Sequence, residues 1–278
     1  MQPSARSFFR KYPLAVIGAI FCLAFLLIAL VAPLIATQDP LLQNLQLRNK
    51  PPSAEHWFGT DNFGHDIFSR VVYGTRISMP AGVLVVLFAT VFGGIYGAVA
   101  GYFGKAVDEI LMRTADIVMS FPGLVLAMAL AAIFGKTMLN TVFVIVLIWW
   151  PKYARMMRGL VLTVRESEYV TSARVIGERR FSILLRTVVP NCVAPLLVMA
   201  SADLGAAILM FSGLGFLGMG VAPPTPEWGM MVSDGSKLLK NWWISFFPGM
   251  AIFIVSIAFN FIGDAIRDYM DPRLKHVE

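Results

Sequence analysis

Residues 14–36 read LAVIGAIFCLAFLLIALVAPLIA, an uncharged run that follows Arg6, Arg10 and Lys11. A helix rises about 1.5 Å per residue, so such a run can cross the roughly 30 Å hydrocarbon layer of a bilayer. It exceeds the roughly 7 to 15 apolar residues of a cleavable signal segment. Its end, Leu34-Ile35-Ala36, also lacks a small residue three positions before a cleavage point. It reads as a retained first membrane helix.

Working outward, further uncharged blocks cover residues 79–103, 117–135, 138–150, 191–219 and 244–263. The chain is 57% hydrophobic and 14% charged, against roughly 45 to 50% apolar in soluble domains, so its main solvent is lipid. The blocks lack the alternating pattern of an outer-membrane barrel. The expected fold is an all-α membrane protein with about six transmembrane helices. Its segments are an inner N-terminus at 1–13, a first span at 14–36, an outer loop at 37–78, a five-helix core at 79–265 containing an inner loop at 152–189, and an inner tail at 266–278. Cys22 and Cys192 fall inside apolar blocks, where neither a disulfide framework nor a four-ligand metal site has anything to build on.

The net charge of +6 has a distribution that explains it. Lys and Arg are retained on the cytoplasmic side of membrane helices. With the N-terminus inside, the inner segments hold most of them, including all eight from Lys152 to Arg186. The outer segments hold Arg48, Lys50, Arg70, Arg76, Lys136, Lys237 and Lys240. Both termini are therefore expected in the cytoplasm. A charge that marks topology leaves no reason to invoke nucleic acid.

Ion-coupled carriers keep ionisable groups at membrane depth. Here Asp203 is the one carboxylate well inside an apolar block, with Asp116 and Asp264 at predicted inner edges. Asp203 must meet a helix neighbour, a cavity or water. A polar contact in a transport path and a helix–helix hydrogen bond both satisfy that requirement. Gly135-Lys136-Thr137 imitates the end of a phosphate-binding loop, but the required earlier glycine is Leu130 and the strand–turn–helix context is missing. No HExxH or GxSxG motif occurs, and His56, His65 and His276 do not share a helical face. The chain reads as a non-enzyme, without a catalytic or metal site, that needs an external source of energy if its transport is active.

The inner loop contains RESEYVTSARVIGERR at residues 165–180, then Pro190. Tyr169, Val170, Ala173 and Ile176 fall at spacings that predict one face of a short amphipathic helix. Ser172 and Ala173 permit close approach by another backbone, and Gly177 can take the left-handed conformation that ends a helix. This stretch resembles the "EAA" loop of bacterial ABC importer permeases: Thr171-Ser172-Ala173 stands at the triplet, Gly177 at the glycine and Pro190 at the proline. The runs HWFGTDNFGHDIFSRVVYGTRIS (56–78), VVPN (188–191), FLG (216–218), PPTPEWG (223–229) and FNFIGDAIRDYMDPR (259–273) are similar to the dipeptide, oligopeptide and nickel importer permeases, and most resemble their "C"-type subunit.

The resemblance implies a type I ABC importer permease fold in the bacterial inner membrane, with loop 37–78 periplasmic. It implies a second homologous permease, two cytoplasmic ATPase subunits that hold the ATP and Mg, and a periplasmic or lipid-anchored substrate-binding protein. No cofactor is expected on this chain. Glu168, Thr171, Ser172, Ala173, Arg174, Gly177 and Pro190 would couple to the ATPase, with Pro190 as the first residue of the fifth membrane helix. The cargo would be a dipeptide or oligopeptide, with a nickel chelate as the alternative and an ion-coupled carrier or channel as the alternative of another class. Trp57, Asp61, His65 and Asp66 are expected in an outer lid, where the neighbouring aromatics favour packing over metal binding. Asp203, Phe211 and Phe216 are the candidates for the transport path.

Overall fold

The computed structural model describes residues 12–270. Most of the expected segments 1–13 and 266–278, and the placement of both termini, lie outside the described residues. Within them the chain is almost wholly helical. Helix α1 (Pro13–Ile35) opens on a proline, whose missing N–H would be unpaired in a first turn anyway. Its apolar side chains are largely exposed, as expected of a helix bathed in lipid.

Helix α2 (Ile67–Phe103) starts well before the expected residue 79, so residues 67–78 of the expected loop are helical. The Asp66 side chain caps it by accepting from the Ser69 N–H at 2.8 Å. Arg70 and Arg76 suggested a loop, but helix and charge coexist because both guanidinium groups find carbonyls. Arg70 donates to Pro40 and Pro224 at 3.1 and 3.3 Å, and Arg76 to Ala29 and Leu30 at 2.5 and 3.0 Å.

The block at 117–135 is not one straight helix. Helices α3 (Lys105–Met119) and α4 (Gly123–Phe134) meet at 89°. Pro122 lies in the break; it lacks an N–H and disfavours helical backbone at Phe121. Helix α5 (Met138–Val164) continues past residue 150 to carry Lys152, Arg155 and Arg158, so the first part of the expected inner loop is helical. Two of these charges pair with α3: Arg155 lies 2.6 Å from Asp116 and Arg158 2.5 Å from Asp108. Helix α5 also lies close against α2, where a Cβ on Gly97 would fall 2.1 Å from the Ala154 carbonyl oxygen.

The short α6 (Glu168–Val175) leads to α7 (Arg180–Phe216), a single stretch with a π-helical turn at Leu184–Val188. Pro190 therefore does not begin a helix. It sits inside α7, next to the π turn, and a local change of register of this kind is one way to accommodate a residue without an N–H. Helices α8 (Trp228–Ser236) and α9 (Trp243–Met270) complete the chain.

By length and composition α1, α2, α7 and α9 can each cross a membrane, and the bent α3–α4 pair passes the same test as one unit. Helix α5 has the length but, with Lys152, Arg155 and Arg158 in its second half, does not meet that test of composition. The main core joins α2, α5 and α7 through Val85, Ala89, Ile145, Met157 and Phe211. A second cluster around Ile67, Trp228, Trp243 and Val255 ties α8 and α9 to the N-terminal end of α2.

Candidate functional site

The expected coupling segment is built on α6. The helix ends in a pair of reverse hydrogen bonds: the Gly177 N–H reaches the Arg174 carbonyl and the Glu178 N–H the Ala173 carbonyl, both at 3.1 Å. This is a Schellman closure, and Gly177 supplies the positive φ it needs, at +86°. Packing divides the expected apolar face. Val170 is buried and Ala173 half-buried, whereas Ile176 is 84% exposed and Val175 and Tyr169 are also exposed. Helix α6 is thus anchored by Val170 and turns its other apolar side chains outward. Tyr169, Ser172, Ala173, Ile176, Gly177 and Glu178 line a concavity there. Glu168, Thr171 and Arg174 are on the same short helix, and Arg174 donates to the Arg165 carbonyl at 3.1 Å. Pro190 is separated from this cluster along α7.

The segment that precedes α2 is organised differently. Asp61 accepts from the Phe63 and His65 N–H groups at 2.8 and 2.9 Å and lies 2.7 Å from His65 Nδ1. Asp66 lies 2.9 Å from His56 Nδ1 and also accepts from the Thr37 and Ser69 hydroxyls. Burial opposes the Asp61 charge, but hydrogen bonding and charge from His65, with Arg70 nearby, outweigh it and hold the carboxyl below its usual range. Trp57 packs on Phe68, and Phe58 stacks on Phe247 of α9 at 3.9 Å between ring centres. The candidate lid residues Asp61, His65 and Asp66 therefore come together, with both carboxylates and His65 Nδ1 engaged in holding the segment closed, while His65 Nε2 is buried without a partner among the described residues. Trp57 remains more than half exposed.

Asp203, near the middle of α7, accepts from the Tyr153 hydroxyl and pairs with the Lys152 ammonium, both at 2.7 Å. Phe211 is fully buried in the core and faces no free surface of the chain, whereas Phe216 is 43% exposed.

Residues 91–276 match the family described as "Binding-protein-dependent transport system inner membrane component", and residues 4–52 match the "N-terminal TM domain of oligopeptide transport permease C". The chain belongs to this family of inner-membrane transport permeases. The permease is 41% identical to the dipeptide transport system permease protein DppC of Alkalihalophilus pseudofirmus, over 96% of this chain and 88% of that one. It is 38% identical to the Haemophilus influenzae protein of the same name, over 96% and 93%. Its fold matches a chain of the MetNI methionine ABC transporter in inward-facing conformations, with TM-score 0.61, 14% identity, and coverage of 73% of this chain and 97% of the other.

Two groups in the permease escaped the sequence reading. Lys152 sits within α5, not in a loop, because Asp203 neutralises it. Glu227 is fully buried and caps α8, accepting from Gly229 and Met230 N–H groups at 2.7 and 2.8 Å, while the Ser78 hydroxyl lies 3.3 Å away. Burial pushes its carboxyl up to about 7 despite those bonds. The available signal was an acidic residue immediately before Trp228, in the place of a helix N-cap.

Proposed function

We propose that this permease imports dipeptides or oligopeptides as one half of a heterodimeric path. A second homologous permease forms the other half, and a substrate-binding protein delivers cargo at the outer surface. Two cytoplasmic ATPase subunits hold ATP and Mg and drive the cycle. The names of the dipeptide relatives support this cargo. Six crossings follow if α5 is counted with α1, α2, the α3–α4 pair, α7 and α9. Both termini then lie inside, along with the basic stretch from Lys152 to Arg186. Asp203 and Phe216 border the path, and Trp57 with the closed outer segment forms the lid met by the binding protein.

The observation that carries the coupling role is α6 itself: a short helix, rigidly terminated at Gly177 and anchored by Val170, with Tyr169, Val175 and Ile176 exposed. An apolar knob of this kind suits a groove on an ATPase. Closure of the ATPases would then move α6, and with it α5 and α7 on either side. Cysteines placed along residues 168–177 should crosslink to the ATPase in intact membranes, and Gly177→Val should lower ATP-driven uptake at least about tenfold by straining the terminating turn. Absence of crosslinks along the whole of α6, or full uptake by the variant, would count against this role.

A further inference from the structure

Three ion pairs tether α5 to its neighbours, and one of them differs from the others in setting. Arg155–Asp116 and Arg158–Asp108 join α5 to α3 toward the inner end of α5. Lys152–Asp203 joins the middle of α5 to the middle of the α-helical part of α7. Ionisable groups at such depth face a bundle interior or a water-filled cavity, and they mark substrate routes more often than lipid-facing surfaces.

This pair is not sealed in the core. The Lys152 side chain is 29% exposed and that of Asp203 22%, while Tyr153 beside them is fully buried. Both donors, the Lys152 ammonium and the Tyr153 hydroxyl, address Oδ2 of Asp203. Among the described residues no side chain donates to Oδ1. The ammonium also lies 3.7 Å from the centre of the Trp149 ring and 5.1 Å from that of Tyr153. Lys152 thus keeps favourable aromatic contacts if its carboxylate partner changes. The site holds one positive and one negative group side by side, both partly exposed.

A peptide with free ends presents the same two charges in the opposite sense. We infer that Lys152 and Asp203 form a charge-exchange station in the transport path, where Lys152 takes the carboxylate of a peptide and Asp203 its ammonium. In the absence of cargo the two neutralise each other. With cargo, each terminal charge acquires a partner as it leaves the other side's water, so no bare charge crosses the low-dielectric zone. Tyr153 holds Asp203 in place and acts as a positioning residue.

This inference rests on the peptide-import reading. Its test is the complete importer, reconstituted in liposomes with both permeases, ATPases and binding protein. Uptake per ATP hydrolysed is measured for dialanine, its C-terminal amide and its N-acetyl form, each normalised to its affinity for the binding protein. The unaltered importer should favour dialanine over both blocked forms. Lys152→Met should lower dialanine uptake per ATP at least about tenfold, as expected for loss of a charged hydrogen bond, and should abolish the preference over the amide. Lys152→Arg should retain that preference. Asp203→Asn should abolish the preference over the N-acetyl form instead.

Preferences that persist unchanged in assembled Lys152→Met and Asp203→Asn importers would overturn the inference and leave the pair as helix–helix glue. Failure of the unaltered importer to take up dialanine and longer alanine peptides alike would overturn the peptide reading, and this inference with it.

Discussion

Two turns at opposite ends of the molecule use the same backbone conformation and differ in what surrounds it. Gly64 in the outer segment has φ +77°, and Gly177 at the end of α6 has φ +86°. A Cβ on Gly64 would lie 1.8 Å from the Asn44 carbonyl oxygen, whereas one on Gly177 would meet nothing within 4 Å. The outer turn is locked by its own chain, with Asp61 and Asp66 engaged by histidines, hydroxyls and N–H groups. The turn at Gly177 is closed by backbone bonds and has open space around it, with Ile176 exposed beside it. A segment that satisfies itself can serve as a rigid platform. One that leaves apolar groups outward is completed by something else.

That contrast can be broken most sharply at the glycines. Gly64→Ala should destabilise the outer segment by roughly 3 kcal/mol, combining backbone strain with overlap that the Asn44 backbone cannot relieve. Gly177→Ala should cost only about 1 kcal/mol, the strain alone. Thermal unfolding of the two purified variants checks the pair, and equal losses would remove the distinction.

Asp66→Ala comes next. It removes the α2 cap and leaves His56 and Thr37 without their acceptor, so a loss of about 2 kcal/mol is expected. Hydrogen exchange should then accelerate at residues 67–70 while α6 is unchanged.

Acid provides a gentler probe. Because the folded Asp61 carboxyl lies below its ordinary value of 3.8, the native state binds fewer protons there than the unfolded chain. Its stabilising contribution is complete above that ordinary value and fades as pH falls through the lower folded one. Exchange in residues 59–66 should therefore rise at low pH, and Asp61→Asn should flatten that rise. The smallest expected effect on stability is at Ile176. Its side chain is 84% exposed, so Ile176→Ala should change unfolding by less than about 0.5 kcal/mol. Retention of the ATPase on the isolated complex should fall nonetheless, and undiminished retention would place the docking contact elsewhere.

The amphipathic reading of 168–176 found a real helix but assigned its face too simply, since periodicity cannot say which apolar residues a neighbouring helix will cover. Val170 is covered and Ile176 is not. The candidate Phe211 lies buried in the core; an aromatic residue in an apolar block is equally at home in a core and in a path. Lys152 and Glu227 were passed over because a charge inside or beside a span looks like a boundary until its partner, distant in sequence, is known.

The sequence by itself determined that this protein lives in a membrane as helices and that Gly177 ends a short helix between two long ones. These follow from local quantities: the length of uncharged runs and the backbone freedom of one residue. Only the tertiary structure decided that the span near Pro122 is broken, that α7 runs through Pro190, and that Lys152 meets Asp203. Each of those depends on how separate helices compensate one another's unsatisfied groups, and that compensation exists only once they are packed together.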